Sequence, residues 1–144
     1  MRDRSLETGY RRFLLYVTGL VLIGTALELA FTEHTEGFVQ LIPFVLIGAG
    51  LLATGAAIAR ESCRTMLALR AVTSLMGIGA LYGIYEHVRH NLIFELEIRP
   101  MATFGDVFWE ALFGASPFLA PGVLGLAALL AAAATYRHPM LKRR

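Results

Sequence analysis

Apolar residues gather in four stretches, at residues 13–31, 38–59, 66–85 and 117–136, each near or above the roughly 20 residues that cross a hydrocarbon core about 30 Å thick. Lipid offers the backbone no hydrogen-bond partners, so stretches of this kind close their bonds internally as helices. The even alternation of a transmembrane barrel is missing from the chain. The pattern predicts an all-α membrane protein: four transmembrane helices, at 13–31, 38–59, 66–88 and 117–136, in an antiparallel bundle that forms a single membrane domain over 1–144. The polar segment 32–37 is a tight turn, which makes the first two helices antiparallel neighbours. The outer connection from 88 to 116 is long enough to carry structure of its own.

Within that long outer loop, Phe94, Leu96 and Ile98 alternate with Glu95, Glu97 and Arg99. A period of two predicts an extended segment with one apolar face, ended by Pro100. Phe104, Val107, Phe108, Ala111 and Leu112 then recur at helical spacing, with Asp106 and Glu110 off the stripe and Trp109 near its edge. This predicts an interfacial amphipathic helix over 104–114, lying as a lid across the outer mouth of the bundle. Gly114 ends it, and Ser116 and Pro117 open the fourth spanning helix. Small residues spaced four apart, Ala49, Ala53 and Ala57 on the second helix and Gly79 and Gly83 on the third, mark where helices approach closely, within the bundle or between copies.

Composition agrees with this plan: the chain has 144 residues, is 56% hydrophobic and has a mean hydropathy of +0.60. The first apolar run is too long for a secretory signal, and Glu28 spoils a small-residue cleavage pattern, so it is expected to stay as an anchor. The lone Cys63 excludes an internal disulfide and a Cys-x-x-Cys redox pair. The net charge of +2 hides a strong polarity. Of the 13 Lys and Arg, only Arg89 and Arg99 fall outside the groups Arg2, Arg4, Arg11, Arg12; Arg60, Arg64, Arg70; and Arg137, Lys142, Arg143, Arg144. The positive-inside rule therefore predicts a multi-pass protein of a cytoplasmic-type membrane with both termini in the cytoplasm. Such basic ends suit anionic lipid headgroups and require no nucleic acid.

The candidate chemistry lies at the outer end. On the first helix Thr18, Thr25, Glu28, Thr32 and Thr35 share one face, a polar stripe expected to face protein. An ionisable residue inside a span is a functional candidate; its alternative is to snorkel to the headgroups. On the third helix Glu86 and His90 extend the glycine face, with His87 at its edge. A Glu and a His four apart can share a proton or hold a divalent metal ion, and Glu28, Glu33 and His34 supply further candidate ligands at the same depth. The competing account treats Arg89 and His90 as cations complementing a helix C-terminus, with Asn91 as its cap. Haem ranks below a simple metal or proton site, because His34, His87 and His90 lie at the boundary rather than within the spans. No Gly-x-Ser-x-Gly or phosphate-cradling loop occurs, which argues against an enzyme. Two functions remain. The first is an accessory or structural subunit of a membrane assembly, docking on other subunits or on itself through small-residue faces and the amphipathic lid. The second is a cation- or proton-binding transport protein with an outer-facing Glu/His site.

Overall fold

The computed structural model describes residues 2–114 and 119–141, with side chains at 6–114 and 121–141. Five α-helices follow one another: α1 (Arg2–Phe31), α2 (Phe38–Ala59), α3 (Cys63–Ile98), α4 (Phe104–Phe113) and α5 (Leu119–Thr135), then a short 3-10 turn at Pro139–Leu141. No strand occurs among the described residues. The expected helix opening at Ser116 and Pro117 lies outside the described residues, as do Lys142, Arg143 and Arg144 and the side chains of Arg2 and Arg4.

Local chemistry sets the boundaries. Past the end of α1, Glu33 takes the left-handed conformation (φ 53°), and the His34 N–H reaches back to the Leu29 carbonyl at 3.1 Å. This is a helix stop usually given to Gly. Ser62 caps α3 in a reciprocal box: its hydroxyl accepts from the Thr65 N–H at 3.2 Å, and the Thr65 hydroxyl accepts from the Ser62 N–H at 3.0 Å. α4 starts where the Asp106 carboxylate accepts from the Thr103 N–H at 2.8 Å.

The third helix corrects two expectations. It does not end near residue 88, and residues 94–98 are not extended: α3 runs unbroken for 36 residues and stops at Arg99, before Pro100. Asn91 is therefore no cap. It sits buried in mid-helix and donates to the Ala111 carbonyl of α4 at 3.0 Å. Glu95 and Arg99, four apart, join at 2.7 Å on the same helix.

Helices α1, α2, α3 and α5 pack in a ring, each antiparallel to its two neighbours, with α2 and α5 barely touching across the diagonal. Leu14, Leu15, Ala57, Met66, Leu69, Ala131 and Ala134 fill the half nearer the termini; Leu22, Ile47, Met76, Ala80, Leu124, Ala127 and Ala128 fill the other. The small residues act inside this packing. A Cβ at Gly79 would strike Leu46, and one at Gly83 would come within 2.8 Å of Pro121. Around the perimeter the surface stays apolar, with Leu20, Ile23, Val45, Leu52, Leu75, Ile78, Leu126 and Leu129 exposed. Three helices are long and apolar enough to cross a membrane: Leu6–Phe31, Phe38–Ala59 and Cys63–Ile98. An apolar surface outside as well as inside is that of a membrane protein.

One register organises the second half of the chain. Arg70 meets Thr135, Ala80 meets Gly125, Gly83 meets Pro121, and Asn91 meets Gly114. As α3 advances, α5 and then α4 retreat by the same number of residues to within one. α4 is thus the far segment of a second arm along α3, and among the described residues it packs on no other helix. At the turn between α1 and α2, His34 meets His87 of α3, their ring centroids 6.4 Å apart. Beyond that level, among the described residues, α3 and α4 form a two-helix hairpin.

Candidate functional site: the two ends of the bundle

At the α1–α2 turn the predicted ligands come together only in part. Half-buried His34 faces His87, and burial followed by the neighbouring imidazole holds its pKa below the ordinary histidine value. Glu86 pairs with Arg89 at 3.4 Å. Glu33 and His90 are exposed, and so is Glu28, whose carboxylate does not enter the interior. The threonine stripe faces protein at Thr18 and Thr25, but their hydroxyls are spent on the Leu14 and Val21 carbonyls of the same helix, both at 2.8 Å. Glu28 and His90 make no hydrogen bond or ion pair with each other. Among the described residues no three His, Cys, Asp or Glu side chains gather closely enough to hold a metal ion.

The hairpin beyond this level is better built. Val107 and Ala111 are buried, and the Ala111 carbonyl accepts from the Asn91 amide of α3. Arg99 lies between Glu95 at 2.7 Å and Glu110 at 3.2 Å, and these carboxylates, Glu95 first, raise the guanidinium pKa above its ordinary value. Hydrogen bonds from the Thr103 hydroxyl and N–H lower that of Asp106. The apolar stripe read from the sequence divides: Val107 and Ala111 face protein, while Phe104, Phe108, Trp109 and Phe113 form an exposed ridge. Successive ridge rings lie 5.6, 5.1 and 6.2 Å apart between centroids.

The opposite end carries a cluster that sequence reasoning missed. The Arg11 guanidinium donates to the Ala134 carbonyl at 2.6 Å and to Glu7 at 2.6 Å. Arg70 donates to the Thr135 carbonyl at 2.8 Å and its hydroxyl at 3.3 Å. Two cations thereby satisfy the final carbonyls of α5, where the helix dipole is negative. Beside them His138 is buried; its backbone N–H donates to Thr135 at 3.1 Å, and its Nδ1 accepts from the Met140 N–H at 3.3 Å. Burial first, then Arg11, pushes the His138 pKa down, against a smaller upward pull from Glu61 and Glu7. A cavity of about 10 Å³ among Arg11, Arg12, Glu61, Thr135 and His138 has room for one water, and the buried Arg11 Nε has no protein partner. The available signal was Arg70, a cation inside an apolar run.

Compared with protein-family models, with curated proteins and with solved structures, the chain matches none.

Proposed function

We propose that α1, α2, α3 and α5 all cross the membrane, with both termini cytoplasmic, and that the protein is an accessory or structural subunit of a membrane assembly which docks through the α3–α4 hairpin. α5 has 17 helical residues, roughly 26 Å, follows α3 in register and presents Leu126 and Leu129 outward, which suits a fourth span. The grouped arginines at the terminal end support the orientation. Because Gly79 and Gly83 already serve internal packing, docking falls to the hairpin rather than to small-residue faces.

The observation that carries this reading is the exposed ridge of Phe104, Phe108, Trp109 and Phe113 on an element packed, among the described residues, against α3 alone. An apolar patch with no partner in the chain marks an interaction site. Solubilised from native membranes in mild detergent, the protein is expected to run as a complex with other polypeptides in fixed proportion, and a Phe104→Ser/Trp109→Ser variant as the chain alone. If wild type also runs alone, the reading fails.

A second reading, a cation- or proton-binding transport protein, has the His34–His87 pair in its favour, with Glu28, Glu33, Glu86 and His90 nearby in the topology. Depressed basicity keeps imidazole in the form that binds a metal ion. Titration with Zn²⁺ or Co²⁺ should raise the melting temperature of wild type and not of His87→Ala; equal responses contradict it.

A further inference from the structure

We propose that the hairpin tip, formed by Phe94, Ile98, Met101 and Phe104, is a docking site for a cationic amphipathic segment of a partner protein on the outer side. The inference rests on the subunit reading and names the chemistry of the partner. These four side chains are 49, 59, 97 and 55% exposed, so the tip is apolar and bare.

Depth decides between lipid and protein as its occupant. The α1–α2 turn and the belt of Glu86, His87, Arg89 and His90 place the outer hydrocarbon boundary near His87. Ile98 lies eleven residues further along α3, roughly 16 Å up the helix axis, or about 12 Å at the largest usual tilt. The polar headgroup zone is only about 5–8 Å deep on each side. By the register with α3, Phe113 falls inside that zone, whereas Trp109, Phe108 and Phe104 fall beyond it. The tip therefore stands in water, where exposed Phe, Ile and Met are costly unless another protein covers them.

Charge decides the kind of protein. Both cations of this end are engaged, Arg89 by Glu86, and Arg99 by Glu95 and Glu110. Around the tip Glu95, Glu97, Asp106 and Glu110 outnumber Arg99, and Glu97 makes no ion pair among the described residues. A second copy would bring the same surplus of carboxylates against itself. A segment with Lys or Arg flanking an apolar stretch complements the tip in both respects.

The sole tryptophan of the chain, Trp109, lies in the ridge and reports occupancy. In phosphatidylcholine nanodiscs, the full chain is titrated with a tryptophan-free Leu/Lys amphipathic helix and with its Leu/Glu counterpart. The Lys peptide should shift Trp109 emission to the blue in a saturable manner, and affinity should fall at least about tenfold as salt rises from about 50 mM to about 500 mM. The Glu peptide should leave the emission unchanged. Glu97→Gln should weaken binding roughly threefold, and Ile98→Ser/Phe104→Ser should abolish it with helix content retained, because both side chains are exposed. Equal action of the two peptides, no response to either, or an unaltered response in the tip variant overturns the proposal. Quenching of Trp109 by brominated lipid before peptide is added assigns the face to the bilayer and overturns it too. If the peptides fail while the native complex persists and depends on the tip, only the cationic chemistry is wrong; if no native complex exists, the subunit reading itself falls.

Discussion

The two ends of the bundle use charge in opposite ways. At the terminal end, Arg11 and Arg70 reach into the protein and donate hydrogen bonds to backbone carbonyls at the end of α5, with His138 buried beside them. At the other end, Glu28, Glu33, Glu36 and His90 stand exposed, and the well-made bonds belong to the hairpin beyond them. Buried charge bonded to backbone carbonyls holds helices together, whereas exposed charge beside an apolar surface is available to something else. On the reading proposed above, the terminal end is structural and the hairpin serves recognition.

The largest effect is expected from Arg11→Ala, which leaves the Ala134 carbonyl without its donor and removes a polar tie between α1 and α5. A loss of about 2–3 kcal/mol in denaturant unfolding fits a partly buried charge-assisted bond, and a neutral result would remove the structural role of that end. Next comes Asn91→Leu. Losing the bond to Ala111 should cost about 1–2 kcal/mol and free α4, read as faster amide exchange over 104–113. Protection there equal to wild type would show that apolar contacts alone hold the hairpin.

Acidification tests the terminal end more gently. The His138 pKa is pushed below its ordinary 6.5 in the folded protein, so the unfolded chain binds more protons between the two values. Stability is complete above pH about 6.5 and is lost as pH falls through that window. Melting temperature should therefore drop between pH 7.5 and 5.5, with a smaller drop in His138→Gln. An identical pH profile for the variant would separate His138 from the latch. The smallest effects belong to Glu28→Gln and His90→Ala, each expected to change stability by less than about 0.5 kcal/mol; a larger loss from either would mean that the exposed belt is structural after all.

How far each region could be read from the sequence follows from where its information lies. The apolar runs of α1 and α2 are local, and so is the stripe that announced α4. The end of α3 was hidden, because Arg89, His90 and Asn91 resemble a finished helix and Phe94 to Ile98 alternate by chance with charged residues. A helical signal was present in the spacing of Glu95 and Arg99. What keeps Asn91 helical is tertiary: its amide has a partner in α4, twenty residues on. The candidate ligands were identified by residue type, but only His34 and His87 meet, since the turn fixes one and the register of α3 the other. The terminal cluster is assembled from α1, α3 and α5, and no local pattern joins Arg11 to Ala134.

The central claim is that the α3–α4 hairpin stands clear of the bilayer while the α1–α2 turn marks its edge. With Cys63 replaced by Ala, a nitroxide is placed singly at Met101→Cys and at Phe38→Cys, both exposed positions, and its collisions with oxygen dissolved in lipid and with a water-soluble nickel complex are measured in nanodiscs. The account predicts that the label at 101 meets nickel far more than oxygen and that the label at 38 shows the reverse. A label at 101 as oxygen-accessible and nickel-shielded as that at 38 would place the hairpin in the membrane and contradict the account.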